Sequence, residues 1–109
     1  MLHIRWSTTA FATLESLPQK TAFEILDRAD KLASFPELGV SLRHLYSVLG
    51  NCRQLVFRRK YRPVYIYEED EGEIRILMLQ HCRQQLPTSA DLHRAINEIK
   101  LADEEDTSG

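Results

Sequence analysis

Arg53, Arg62 and Arg83 lie within or at the end of three successive segments that have the composition of β-strands. Neighbouring strands of a sheet lie less than about 5 Å apart. The three guanidinium groups could therefore converge on one anionic ligand, if the strands pair in a suitable register. The alternative is that they are separate surface arginines, paired with the acidic residues from Glu68 to Glu73.

His81 precedes Arg83 by two residues, so in a strand both side chains point to the same face of the sheet. A histidine near arginines suits general-base chemistry near neutral pH, and a structural role at a strand end is the alternative. His81 and Cys82 do not form a chelating pair, because adjacent strand residues point to opposite faces. Since the other histidines show no ligand spacing and no glycine-rich phosphate loop is present, we predict neither a metal nor a cofactor.

The stretch from Leu38 to Tyr67 contains no Asp or Glu, although it is rich in cations. These cations are Arg43, Arg53, Arg58, Arg59, Lys60 and Arg62. Such a stretch typically faces a polyanion or an acidic partner, and a merely solvated surface is the alternative. We predict that four of them contact nucleic acid: Arg43, Arg58, Arg59 and Lys60.

Tyr61, Tyr65 and Tyr67 alternate within the same stretch. In a strand this spacing places the three rings on one face, where they could stack on bases. Core packing, with the hydroxyl groups at the rim, is the alternative. Tyr65, in the middle of the series, is the predicted stacking residue.

The hydrophobic pattern predicts an α+β fold. Period-2 alternation of Leu2, Ile4 and Trp6 predicts a short strand that ends at Ser7. Helical periodicity predicts two helices that Pro18 separates, the second ending at Phe35. Two helices with so short a link should pack antiparallel. Three strands and a final helix follow, over Cys52–Arg58, Tyr61–Glu68, Glu73–Cys82 and from Thr88 or Ser89 to Leu101.

We therefore expect an antiparallel sheet of about four strands, with an N-terminal two-helix hairpin and a C-terminal helix. Pro63 lacks an amide donor, so it predicts a bulge or an unpaired position in the middle strand. Residues 1–101 should form one domain, and residues 102–109 an acidic, disordered tail.

The sequence also indicates the cellular compartment in which the chain acts. No apolar run reaches the roughly 20 residues that a membrane-spanning helix needs, and the first residues lack the layout of a secretory signal. We therefore expect a cytoplasmic protein with no membrane partner. Its two cysteines are too few for a disulfide framework and are expected to be reduced.

The order of these elements, together with four short strings, resembles the RelE/ParE superfamily of bacterial toxins. The strings are Ile4-Arg5-Trp6-Ser7, Phe35-Pro36-Glu37-Leu38-Gly39, Tyr61-Arg62-Pro63-Val64-Tyr65 and Ile74-Arg75-Ile76-Leu77 leading to His81-Cys82-Arg83. The third is close to the family's Tyr-Arg-x-x-Tyr and the last to its His-x-Arg. The resemblance covers about residues 2–98.

The resemblance implies a small toxin that an antitoxin protein neutralises by wrapping around it. RelE-like members cut messenger RNA at the ribosome without a metal, whereas ParE-like members inhibit DNA gyrase and are not enzymes. The short helical hairpin resembles the RelE branch, which implies an mRNA endoribonuclease. Gyrase inhibition is the alternative, and an inactive chain that only binds its antitoxin is a third.

RelE-like toxins place catalytic basic residues at or near the positions of Arg53, Arg62 and Arg83. The resemblance implies that Arg62 and Arg83 stabilise the charge that develops on the phosphate and that Arg53 positions the RNA backbone. His81 would be the base. Leu55 departs from the family pattern, because a second basic residue is expected there, and residues 84–86 hold no tyrosine where many ribonuclease members have one. The basic stretch further predicts an antitoxin segment rich in Asp and Glu that competes with RNA.

Overall fold

The computed structural model describes residues 1–108, with side chains up to Glu104; Gly109, the end of the predicted tail, lies outside the described residues. The helices are α1 (Thr8–Glu15), α2 (Gln19–Asp30) and α3 (Ser89–Ser108). The strands are β1 (His3–Trp6), β2 (Val40–Ser41), β3 (Cys52–Gln54), β4 (Tyr61–Glu68) and β5 (Glu73–His81). The predicted α+β fold is confirmed.

The strands form one mixed sheet in the order β1-β5-β4-β3-β2. β3, β4 and β5 form the predicted antiparallel meander. Two features differ from an antiparallel sheet of about four strands: β1 pairs parallel with β5, and β2 adds a fifth strand of two residues. Periodicity identifies segments that form strands, but it carries no information on the direction in which distant strands pair.

Helices cover both faces of the sheet. On one face, called the hairpin face, α1 and α2 supply the buried residues Ala10, Leu14, Ile25 and Ala29, which pack with Tyr65, Ile76 and Leu79 of the sheet. On the other, called the α3 face, Leu92, Ala95 and Ile99 pack with Val64, Ile66 and Leu77. Among the described residues, no helix has the length and apolar character needed to cross a bilayer.

A β-bulge in β5 decides which side chains face which helices. The pairs next to the β4–β5 turn continue to Tyr65–Ile76, and the next pair is Val64–Met78, so Leu77 is an extra residue. Because the extra residue interrupts the alternation, Leu77 and Met78 both pack on the α3 face, and Leu79 lies on the hairpin face. The extra residue is in β5, whereas Pro63 of β4 is in register with Leu79, so the irregularity lies beside the middle strand and not within it.

Polar side chains cap the N-termini of two helices. Ser7 Oγ accepts a hydrogen bond from the Ala10 amide (3.0 Å) at the start of α1. Thr88 Oγ1 accepts from the Asp91 amide (3.1 Å), and the Asp91 carboxylate accepts from the Thr88 amide (3.1 Å). Hydrogen bonds from the Thr88 backbone amide and from the Thr88 side chain to the carboxylate lower the pKa of Asp91 below its usual value.

α3 does not end near Leu101 as the sequence predicts, but continues to Ser108. The segment after Leu101, which was predicted to be a disordered acidic tail, contacts the sheet, because Asp103 forms an ion pair with Arg5 of β1. This pair lowers the pKa of the Asp103 carboxyl below its usual value. Ala102 and the two glutamates that follow Asp103 have high helix propensity, which favours continuation of α3 through this segment.

Both cysteines are free thiols. Cys52 is fully buried in the core on the α3 face. Burial raises the pKa of its thiol to about 11, so Cys52 is protonated and unreactive at neutral pH.

Gly39 lies where the loop after α2 packs closely against the Gln54 backbone and the Tyr65 ring, which leaves no room for a side chain. A Cβ at this position would lie 2.7 Å from the Gln54 carbonyl oxygen and 2.8 Å from the Tyr65 ring. The Gly39→Ala variant is therefore expected to lose about 1–3 kcal/mol of unfolding free energy in urea denaturation. Ser34→Ala, an exposed change in the same loop, is the control, and equal effects of the two changes would contradict this explanation.

Candidate nucleic-acid interface

Arg62 has a fixed orientation on the α3 face of β4. Its Nη2 donates to Gln80 Oε1 (3.0 Å) and to the backbone carbonyl of Gln84 (2.8 Å). The side chain is half-buried, and its buried Nε has no hydrogen-bond acceptor among the described residues. Its Nη1 also has no acceptor among the described residues, so the fixed guanidinium keeps a free terminal donor group with which to bind an anion.

Hydrogen bonds made by Gln80 and Gln84 connect the loop after β5 to Arg62. Gln80, which is 7% exposed, lies directly opposite Arg62 in the sheet, and its Nε2 donates to the Gln85 carbonyl (3.1 Å). Gln84 Oε1 accepts from the last amide of β5 (2.8 Å). This loop presents Arg83, whose exposed guanidinium has no partner among the side chains that the structure describes.

His81 does not share a face with Arg62. It lies opposite Tyr61 on the hairpin face, where the two rings meet edge to face with their centroids 5.7 Å apart. Its Nδ1 accepts a hydrogen bond from the Arg83 amide (3.1 Å), so in the neutral ring the proton is on Nε2. With its lone pair occupied in this way, His81 positions Arg83, and the geometry does not support the predicted role of general base.

Arg53 lies on the opposite face from Arg62. Arg53 is the register partner of Tyr65, and positions 62 and 65 of one strand point to opposite faces. The predicted convergence of three arginines on one ligand is therefore wrong. Arg62 and Arg83 share one end of the sheet, and Arg53 belongs to a different surface.

The turn between β3 and β4 carries Arg58, Arg59 and Lys60. Arg58 and Arg59 have φ angles of 53° and 57°, a left-handed conformation that is strained for residues other than glycine. Arg58 pairs with Glu24 of α2 (2.6 Å), and Lys60 Nζ lies 5.4 Å from the centre of the Tyr61 ring. Arg59 is exposed and has no partner among the described side chains. The turn thus adds positive charge directly before β4.

Two predicted nucleic-acid contacts lie elsewhere. Arg43 is exposed and lines a depression together with Arg53. Tyr65 is fully buried, and its hydroxyl donates to the Pro36 carbonyl (2.7 Å) and accepts from the Gly39 amide (3.0 Å). Burial raises the pKa of this phenol. The prediction that Tyr65 stacks on a base is wrong, because core packing covers its ring.

The acidic cluster from Glu68 to Glu73 is paired with arginines outside the candidate site. The nearly buried Arg75 forms ion pairs with Glu68 (3.8 Å), Glu71 and Glu73 (3.5 Å). Arg5 pairs with Glu73 as well (3.7 Å). Along β4 this cluster begins about 20 Å from Arg62. Opposite charges therefore occupy opposite ends of the β4–β5 hairpin, and the cluster does not neutralise the site arginines.

Three site residues were not predicted from the sequence. Gln80 and Gln84 orient Arg62, and the buried Tyr46, whose hydroxyl donates to the Pro87 carbonyl, lies near it. Burial raises the pKa of Tyr46, and the charge of Arg62 partly offsets this effect. A glutamine ending an apolar strand was the available signal for Gln80, whereas Tyr46 comes from a loop without a clear period.

The charge at this end of the sheet comes from the chain's own cations. Among the described residues, no group of three or more histidine, cysteine, aspartate or glutamate side chains is placed to hold a metal ion. Arg59, Lys60, Arg62 and Arg83 are gathered here without a carboxylate partner among the described side chains. The arrangement can stabilise negative charge on a phosphate group.

Comparison with solved structures places this fold among the RelE toxins. The isolated E. coli RelE toxin superposes with a TM-score of 0.65 at 14% identity, covering 86% of this chain and 98% of that one. A chain of the intact E. coli RelBE toxin–antitoxin complex gives 0.61 at 10% identity, over 77% and 100%. The RelBE2 toxin–antitoxin complex of Mycobacterium tuberculosis gives 0.62 at 26% identity, over 73% and 96%.

The chain therefore has the fold of the RelE-like toxin superfamily, and the resemblance predicted from the sequence is confirmed. No model of a protein family matches the sequence, and no curated protein matches it either.

Proposed function

We propose that this chain is the toxin of a toxin–antitoxin pair and acts in the cytoplasm as an endoribonuclease on messenger RNA at the ribosome. The RelE fold supports a toxin, since solved relatives include toxin–antitoxin complexes. The observation that supports the enzymatic part is the geometry of Arg62. Its Nη2 is fixed by two acceptors, its Nη1 has no acceptor among the described residues, and it has no carboxylate partner among the described side chains.

The proposed reaction is attack of a ribose 2′-hydroxyl oxygen on the adjacent phosphorus. The bond to the 5′-oxygen breaks, a 2′,3′-cyclic phosphate forms, and the proton lost by the 2′-hydroxyl is balanced by one gained by the leaving oxygen. Negative charge grows on the phosphorane, and Arg62 and Arg83 would stabilise it. Guanidinium groups can supply this charge without a metal. His81 contributes by holding the Arg83 backbone.

Primer extension on translated messages tests this proposal. When the chain is expressed without its antitoxin, new 5′ ends should appear within coding regions, and they should be absent for the Arg62→Ala variant. Intact messages in the presence of folded, growth-inhibiting protein would contradict the ribonuclease proposal. Inhibition of supercoiling by purified gyrase would then favour the ParE-like alternative.

The antitoxin is proposed to place an acidic segment on the same basic end of the sheet. Arg59 is exposed and unpaired there, so Arg59→Glu should slow association with the product of the neighbouring gene by roughly threefold to tenfold at low salt. The difference should shrink as salt screens the charges. Lys100→Glu, an exposed reversal on α3, is the control for stopped-flow measurements. An on-rate that is insensitive to both Arg59→Glu and salt would exclude this surface as the landing site.

A further inference from the structure

We propose that Arg53 and Arg43 form a second anion-binding site, which holds a phosphate group of a nucleic acid on the face of the sheet opposite Arg62. The choice of nucleic acid as ligand rests on the proposed function. The site is a depression of about 360 Å³ at the β2–β3 edge of the sheet. Its lining residues are Glu37, Ser41, Arg43, Gly50, Asn51 and Arg53.

Arg53 is fixed in this depression by neutral oxygen atoms. Its Nε donates to Asn51 Oδ1 (2.8 Å), and its Nη1 donates to the carbonyls of Gly39 (2.8 Å) and Glu37 (3.4 Å). The Nη2 donors of Arg53 have no acceptor among the described residues. Arg53 also takes part in none of the ion pairs among those residues. A half-buried guanidinium held in this way retains its charge and points one edge at a ligand.

Other donors line the same depression. The Asn51 side chain uses its oxygen for Arg53, which leaves its amide hydrogens for a ligand. Ser41 Oγ accepts from the Arg43 backbone amide (3.2 Å), which leaves the hydroxyl hydrogen as a donor. The Arg43 side chain is exposed and has no partner among the described side chains. Four separate donor groups suit the several oxygens of a phosphate better than the two oxygens of a carboxylate.

Glu37 makes the site selective. Glu37 also lines the depression, and its negative charge would repel a bare anion. A carboxylate can, however, accept a hydrogen bond from a ribose hydroxyl beside a bound phosphate. A nucleotide should therefore bind more tightly than inorganic phosphate. Replacing Glu37 with glutamine should narrow this difference.

This site is distinct from the one at Arg62. Arg53 is aligned with Tyr65, so the two arginines lie about 10 Å apart along β4 and on opposite faces. One phosphate cannot contact both. The second site would hold a different part of the same nucleic acid and contribute to affinity, while the site at Arg62 contributes to the rate.

Binding can be tested on the full chain carrying Arg62→Ala, so that the outcome does not depend on cleavage. Inorganic phosphate and adenosine 5′-monophosphate are titrated while backbone amide resonances are recorded by NMR. Shifts should centre on Ser41, Arg43, Gly50 and Asn51, and the nucleotide should bind more tightly. Arg43→Gln, which removes an exposed side chain, should weaken binding roughly two- to fivefold without unfolding. Lys20→Gln on α2 is the matched control.

Three results would overturn the proposal. They are the absence of shifts around Gly50 at saturating phosphate, equal effects of Arg43→Gln and Lys20→Gln, and tighter binding of an acidic peptide than of the nucleotide. The last result would assign the depression to a protein partner. Cleavage by the unmodified chain is measured separately, so a failure of the ribonuclease proposal is distinguishable from a failure of this one.

Discussion

Replacement of Arg62 by alanine is expected to lower the rate of RNA cleavage by about 100-fold or more while the chain remains folded. The Arg62 guanidinium is held in one orientation at this end of the sheet, because it donates to two acceptors, Gln80 Oε1 and the Gln84 carbonyl. Losing a preorganised donor to a developing negative charge has an effect of this size, because the phosphorane carries additional negative charge that the ground-state phosphodiester lacks.

Single-turnover cleavage of a translated message is the measurement for Arg62→Ala, with thermal unfolding to confirm the fold. Arg62→Lys keeps the charge but loses the forked geometry, so its rate should fall between those of the alanine variant and the original chain. Lys100→Ala removes an exposed cation on α3 and should leave the rate unchanged. A rate for Arg62→Ala within threefold of the original would exclude Arg62 from the reaction.

Replacing Gln80 by glutamate should lower the cleavage rate at least about tenfold, although Gln80 never touches RNA in this proposal. A carboxylate in place of the amide would lie within 3.0 Å of the Arg62 Nη2 and neutralise the charge intended for phosphate. Gln80→Met preserves the volume and leaves Arg62 charged but loosely held, so its loss should be smaller.

The pH profile separates electrostatic neutralisation by Gln80→Glu from a general loss of structure. Protonation of the new carboxyl at low pH would release Arg62, so the relative activity of the variant should rise as pH falls. The Gln80→Met variant should show no such recovery. If both variants lose activity equally at every pH, Gln80 has only a packing role.

Local structure could be predicted from the sequence because it depends on short-range chemistry. The period of apolar residues located the helices, and Ser7 and Thr88 cap them through side chains that are three residues from their amide partners. The segments of β1, β3, β4 and β5 were likewise identified by composition and alternation, whereas the two-residue β2 was not. These features require no knowledge of which distant residues meet.

Register decided the site and could not be predicted. Pairing counted from the β4–β5 turn without a bulge would set Arg62 opposite Leu79, whereas Leu77 shifts the register and brings Gln80 opposite Arg62. The same shift places His81 on the hairpin face. Pro63 predicts an irregularity in the pairing of β4, but the sequence does not determine which of the two paired strands carries the extra residue.

The distribution of charge along the sequence predicted a basic surface, but it did not predict that the cations lie in two separate places on the sheet. Arg43 and Arg53 lie in a depression at one edge of the sheet, and Arg58 to Arg62 lie at the start of β4. The run from Glu68 to Glu73, which offered partners for the site arginines, is held instead by Arg75. Linear charge density does not specify how strands partition side chains between two faces.

Growth on plates tests the central proposal, a toxin whose activity depends on Arg62 and Arg83, most directly. Inducing the chain alone should arrest growth, co-expressing the neighbouring gene should restore it, and the double variant Arg62→Ala, Arg83→Ala should accumulate without harm. Normal growth of cells that accumulate the unmodified chain in folded form would contradict the proposal, as would arrest by the double variant equal to that caused by the unmodified chain.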